Sequence, residues 1–497
     1  MASGFPDPNI NLRNGTAKRS FQASPYNVQL SASETQGNTH VEGLKQESAD
    51  KASELLMLNH AKYHIVFNDV GLHNHIVHHL MSLWPLGATP SEIQAAYDLN
   101  KKYQLPQYRH AASVSVKLKD PAFFKESLGK PKFYTDYLKF FQDEIAERGA
   151  PDVLNEYVFK GDERADSILG RMYSGFLHPI IHLGFALEFS QPCIAAESLA
   201  SACIHDDWPL PIIQPVESHL ASHPNLPSTS LLSVIHSLHS NPKIRSAVQP
   251  TDPPNRVTHG LIPRVGSDLI PHLAKWRVAP TQKDIEFRTA EMAHVCAYLS
   301  GAAQKPGKAV GIDFFMMHNT NLSVFYSAFM GLDWLSLENK ARLLTWKGWM
   351  DAVLYAACGC PTLYIERIHS YSPKLPGDWD GIVKRACAYQ DDGHTSKLIR
   401  ALMHAEKVSR PYLGREEFPL AKEDFLQIAH MTMDSVERMT EPGYRLPENM
   451  RKMYVEGLGT GEEVVKTVVR WVRWAGVEGA WDDIPDMDEK ERSTARL

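Results

Sequence analysis

The chain has 497 residues, 52 Lys+Arg against 58 Asp+Glu for a net charge of −6, and 43% hydrophobic and 22% charged residues. That balance excludes a wholly disordered or fibrous chain, and the mild negative charge excludes the basic stripe that nucleic-acid binding requires. No run of about 18 apolar residues is present, which excludes a membrane-spanning helix. The six cysteines, scattered from Cys193 to Cys387, suit a reduced interior and an expected cytoplasmic location.

Residues 1–50, rich in Ser, Asn and Gln and without a signal-peptide core, are expected to form a partly disordered arm. Residues 51–476 read as a single helical catalytic domain. SEIQAAYDLNKKYQ (91–104) has Ser91 as expected N-cap, and KFYTDYLKFFQDEIAERG (132–149) closes at Gly149. Twelve of the 32 prolines fall between His205 and Pro280. They predict a Pro-rich excursion over 205–280, with short helices such as 229–240 and a hinge or lid role. Helices resume over 281–301, a late helix is expected over 461–476, and 477–497 reads as an acidic tail. Alternating β-branched runs are scarce and internal repeats absent. The fold class is all-α, a large multi-helix body, as a monomer or homodimer.

Histidine is abundant, 23 in all with six between His60 and His79, and imidazole is the commonest metal ligand. In GLHNHIVHHLMSLWPLG (71–87), a helix puts Val77, Leu80, Met81 and Trp84 on a core stripe and His75 and His79 one turn apart. His73 and His78 fall on the side expected to be exposed or to stand behind the ligands. GFLHPIIHLGFALEF (175–189) repeats the spacing with His178 and His182, with Pro179 marking the helix start. A single histidine on an apolar face is usually a packed core residue, and His318 in GIDFFMMHNTNLSVFYSAF (311–329) taken alone reads that way. Two pairs one turn apart need polar partners or a metal. In DDGHTSKLIRALMHA (391–405), His394 and Lys397 lie three residues apart. Lys397 is either a snorkelling surface residue or a buried amine of lowered pKa, able to take up carbon dioxide and offer a carboxylate-type ligand.

Weaker signatures compete. Glu291–His294 and Glu366–His369 match the Glu-x-x-His pairs of di-iron bundles. His205-Asp206-Asp207 matches the His-Asp pair of helical metal phosphohydrolases, a second function class. The Gly457–Gly461 loop has no strand before it, so a dinucleotide fold is not supported. Cys358-Gly359-Cys360 reads as a packed pair of thiols, and G-x-S-x-G, H-E-x-x-H and C-x-x-C are absent.

Taken in order, GLHNHIVHHL, GFLHPIIHLGFALEF, IDFFMMHN and DDGHTSKLIRAL resemble the signature segments of the questin oxidase-like proteins of fungal polyketide pathways, over roughly residues 55–440. The resemblance implies an all-helical oxygenase that acts on anthraquinone-type polyketides. The outcome is cleavage of the central quinone ring or Baeyer–Villiger-type insertion. It implies Fe(II) held by four imidazoles drawn from His75, His79, His178, His182, His318 and His394, with Lys397 as a carbamate and O2 as co-substrate. The alternative is a metal-free or NADPH-linked oxidase, with a separate reductase as partner, in which histidines act as bases. His394 and His78 are the candidate acid–base residues. Trp84, Phe185, Phe315 and Tyr389 are the candidate walls for a small, flat substrate. No flavin is expected, because no dinucleotide-binding pattern is visible in the sequence.

Overall fold

The computed structural model describes residues 22–67, 72–438, 451–457, 462, 465 and 471–487. Among these, helices dominate and extended pairing is confined to isolated bridges such as Val66 with His73 and Asp313 with Val472. The all-α expectation holds. No helix is long and apolar enough to cross a membrane among these residues.

Local chemistry sets the helix ends. Thr89, not Ser91, caps helix Pro90–Asn100: Thr89 and Glu92 form a reciprocal capping box around Pro90, which has no N–H to leave unpaired. Helix Tyr134–Arg148 stops at Gly149, whose φ of +84° suits glycine. In helix Ser174–Glu188, residues Gly175 to Leu177 have left-handed φ, so regular winding starts at His178 and Pro179, as the proline predicts. The 205–280 stretch is more regular than its composition implies. It holds helices Leu210–Ser222, Leu231–Ser240 and Ile262–Leu273, the first and third with a proline in the opening turn. Their apolar sides, including Val216, Ile235 and Leu269, are buried in the common core.

Both ends of the described chain lie on this body. The Gln29 N–H donates to Gln191 Oε1 at 2.8 Å, and Gln191 Nε2 donates back to Gln29 O at 2.9 Å. The expected late helix and the glycine-rich loop lie mostly outside the described residues. Residues 471–476 are not helical, because Val472 pairs with Asp313 instead. Beyond them Trp481, Ile484 and Met487 are buried, where the acidic composition predicts a tail.

Four helices converge at the centre: Ile76–Leu83, Ser174–Glu188, Phe314–Ser323 and His394–Ser409, with Pro192–Ile204 packed behind the second. The close approach depends on Gly184. A Cβ there would lie 2.2 Å from Phe325 Cγ, against a ring that itself packs on Phe185 at 4.6 Å between centroids. Gly184→Ala is therefore expected to destabilise by about 1–3 kcal/mol through overpacking, more than the ~1 kcal/mol that alanine gains in helix propensity. Urea unfolding checks the sign.

Candidate metal centre

Helix Ile76–Leu83 begins one residue after His75, which is its N-cap at φ −92° and ψ 2°, so residues 72–74 lie outside the helix. This changes which imidazoles share a face. His73 and His78, expected to be exposed or to stand behind the ligands, are both buried, because the helical wheel does not apply before Ile76 and further helices pack over the other side. His75 Nε2 lies 2.7 Å from His178 Nε2, and His394 Nε2 lies 3.2 Å from His318 Nε2. The pairs adjoin, with ring centroids 4.6 Å apart for His75 and His394 and 5.0 Å for His178 and His318.

The other ring nitrogens fix where the protons sit. His178 Nδ1 lies 2.6 Å from Gly175 O and His318 Nδ1 2.6 Å from Phe314 O. A carbonyl only accepts, so each Nδ1 carries the proton and each Nε2 a lone pair. His394 Nδ1–H donates to Asp392 Oδ1 at 2.7 Å, which leaves its Nε2 a lone pair as well. Asp392 also faces His75 Nδ1 at 3.8 Å. Neighbouring helix chemistry supports this. Asp391 caps helix His394–Ser409 through the Gly393 and Thr395 N–H groups, and Gly393 takes φ +94° where a Cβ would strike His79.

The lone pairs of His318 and His394 thus face each other with no proton between them, an arrangement that a cation stabilises. Two neighbouring ligands on a six-coordinate ion with metal–nitrogen bonds of about 2.1 Å stand about 3.0 Å apart. The separations of 2.7 and 3.2 Å bracket that value. Burial, followed by repulsion from the surrounding charges, holds His75, His178 and His394 well below the usual histidine range, and burial holds His318 at about 3. All four stay neutral, the form that binds metals. Hydrogen bonds behind these rings hold their orientation, as they would for metal ligands. The residues present fit a metal.

His79 and His182 face elsewhere. His79 turns to Asn100 Nδ2 at 3.3 Å and Asp391 Oδ1 at 3.9 Å. His182 Nε2 donates to Glu197 Oε2 at 2.8 Å. His78 Nε2 lies 3.2 Å from His182 Nδ1, and Lys397 Nζ 3.4 Å from His78 Nδ1. Lys397 is buried rather than snorkelling. Its desolvation outweighs the pull of Asp392 and Asp391 and brings its pKa down to about 8.

The aromatic candidates divide. Phe185 packs 5.3 Å from His78. Phe315 stacks on Trp474 at 3.6 Å, close to the clustered imidazoles through Phe314, which lies 4.7 Å from His318 and 5.2 Å from His394. Tyr389 donates to Val436 O, and Trp84 packs on Phe189 beside a cavity of about 250 Å³ lined by Leu44, Leu86 and Val383. Sequence reasoning missed Phe176, Phe314 and Trp474, together with Arg473 over Phe314 at 5.0 Å and Arg256 over Trp474 at 5.6 Å. The WVRWAG segment (471–476) carries an arginine between two tryptophans, the one local signal for them.

The rival motifs do not assemble. Glu291 bonds to Leu231 N–H, Trp276 and Arg288, whereas His294 faces Ser409 and Leu420. Glu366 and His369 are exposed. His205 is paired with His73 at 2.7 Å while Asp206 points to solvent, which removes the phosphohydrolase reading. Cys358 and Cys360 are buried free thiols, as the sequence predicts.

The questin oxidase-like family profile matches residues 72–402. The chain is 48% identical over 490 residues to oxidoreductase AflY of Aspergillus parasiticus, covering 98% of this chain and 97% of that protein. It is 36% identical to the Baeyer–Villiger oxidase ptaJ of Pestalotiopsis fici, over 78% of this chain and 88% of the relative. It is 35% identical to questin oxidase of Aspergillus fumigatus, again over 78% and 88%. The chain therefore belongs to the questin oxidase-like family and is an oxidoreductase.

Proposed function

We propose that this protein is a Baeyer–Villiger-type oxidase of a planar aromatic polyketide of the anthraquinone class, with O2 as oxidant and Fe(II) held by His75, His178, His318 and His394. The observation that carries this reading is the convergence of imidazole Nε2 atoms whose protons are held on the opposite nitrogen by Gly175, Phe314 and Asp392. Imidazole sites with open positions suit iron that reacts with oxygen, and such a group supplies O2 activation when bound. The names of the relatives support the reaction class.

Insertion beside a quinone carbonyl breaks one ring carbon–carbon bond and forms two carbon–oxygen bonds, one to each of the separated carbons. Hydrolysis of the resulting lactone then opens the ring, which accounts for cleavage without a second oxygen atom from O2. That second atom leaves as water and takes two electrons and two protons. The electrons come from NADPH, directly or through a separate reductase, or from the hydroquinone form of the substrate. Phe314, Phe315 and Trp474, with Phe176 and the Arg256 and Arg473 guanidiniums, provide a flat apolar wall with positive charge for a phenolate. Lys397, partly neutral near its pKa of about 8, takes up carbon dioxide as a carbamate or acts as an amine base.

A second reading keeps the reaction and removes the metal, with His78 and His182 as bases for the phenol. The contact of His182 with Glu197, and of His78 with His182, favours it. Turnover of a hydroxyanthraquinone under ¹⁸O2 tests the reaction itself. One labelled atom in the lactone or its acid is the expected result. Two labelled atoms would replace insertion by dioxygenative cleavage, and none would overturn both.

A further inference from the structure

Glu197 lies on helix Pro192–Ile204, behind His182 as seen from the metal-facing imidazoles. Its carboxylate is buried and accepts twice, from His60 Nδ1 at 2.6 Å and from His182 Nε2 at 2.8 Å. Burial pushes this carboxyl up, but the hydrogen bonds from His182 and His60 outweigh it and hold the pKa at about 2, so the group is a pure acceptor.

With a single proton on each ring, the direction of every bond in this chain follows from its fixed ends. Gln142 Nε2 donates to Pro25 O at 2.9 Å, which fixes the amide, and it lies 3.1 Å from His60 Nε2. His60 Nε2 must accept, so its proton is on Nδ1 and goes to Glu197. Because a carboxylate cannot donate, the proton of His182 is on Nε2 and its Nδ1 is a lone pair. That lone pair faces His78 Nε2 at 3.2 Å, so His78 donates there and presents its own Nδ1 lone pair to Lys397 Nζ at 3.4 Å. His60, Cys193 and Glu197 also have ligand atoms close enough for a cation. His60 Nδ1, however, already carries the proton that Glu197 accepts, and burial keeps the Cys193 thiol protonated.

We propose that Glu197 is a positioning residue for Lys397, acting through His182 and His78 to aim a lone pair at Nζ. The bond it orients is available to an amine and to a carbamate alike, since each keeps an N–H. The catalytic consequence rests on the function proposed above; the tautomers do not. Replacing the carboxylate with an amide reverses the chain. In Glu197→Gln the oxygen goes to His60 and the NH2 meets His182 Nε2, whose proton moves to Nδ1. His78 then turns an Nδ1–H on Lys397, which opposes the N–H of the ammonium and carbamate forms and ties up the lone pair of the free amine.

The test is ¹⁵N NMR of the histidine rings in the full-length protein, joined to steady-state kinetics. The wild type is expected to show His78 and His182 both protonated at Nε2. A proton on Nδ1 of either ring overturns the proposal without any variant. In Glu197→Gln both tautomers are expected to invert and kcat to fall about 10–100-fold, with KM within about twofold. Glu197→Asp, still an acceptor, is expected to keep the native tautomers. Wild-type kcat in Glu197→Gln, or a loss with unchanged tautomers, overturns the positioning role. A wild type that holds the stated tautomers but oxidises no quinone refutes the proposed function and leaves the hydrogen-bond assignment standing.

Discussion

His318→Gln is expected to lower oxidase turnover by more than about 100-fold, beyond the 10–100-fold typical of a group that merely supports a metal ligand. His318 is fully buried, and its Nδ1–H is spent on Phe314 O, so its Nε2 has no protein donor to accept from. That lone pair stands 3.2 Å from the one on His394. Glutamine fills much of the volume and avoids the cavity cost of alanine, so loss of activity reports the ligand rather than the fold. Oxygen uptake with a hydroxyanthraquinone measures the effect. A variant that retains near-parental turnover would make His318 a packed core histidine, the reading its apolar neighbours favour in the sequence alone.

The second large effect falls on stability. Glu188→Ala is expected to cost about 3–5 kcal/mol, because it leaves the buried Arg400 guanidinium without its counter-charge. Arg400 Nη2 donates to Glu188 Oε1 at 2.5 Å and Arg400 Nε to Thr39 O at 2.9 Å, while Asn38 N–H donates to the same Glu188 oxygen at 2.7 Å. This one group therefore joins helix Ser174–Glu188, which carries His178, to helix His394–Ser409, which carries His394, and pins the segment around Asn38 across both. Urea unfolding measures it. The double variant Glu188→Ala/Arg400→Met should cost less than Glu188→Ala, since no unpaired charge remains; an equal or larger cost contradicts the ion-pair account.

The sequence reveals much of this architecture where local chemistry decides. Pro179 marks where regular winding starts, Gly149 marks a helix end, and Asp391 precedes the turn that it caps. The histidine segments are legible too: ligand atoms of His75, His178 and His394 lie within reach of one another, and His318 stands 3.2 Å from His394. Which histidines meet is not legible, because that depends on tertiary partners. The i, i+4 argument for His75 and His79 fails at the helix boundary, since His75 is the N-cap, with non-helical φ/ψ, and its ring turns to His178 while His79 turns to Asn100. His182 keeps the predicted face but is taken by Glu197, from a helix that reads as a bland run of small residues. The lone glutamate in PCIAAESLASACI was the available signal. The aromatic wall draws on Phe176, placed by left-handed backbone at Gly175 to Leu177, and on Trp474, about 160 residues from Phe315 and held by a bridge that no periodicity encodes.

The measurement that tests the central claim most directly is metal content by elemental analysis, on protein purified without chelators or tag-derived metal. The four-imidazole site predicts about one iron per chain in the parent, and loss of that iron in His318→Gln. Metal-free protein that still consumes oxygen with a hydroxyanthraquinone at the full rate would contradict it, and would assign the chemistry to His78 and His182 as bases.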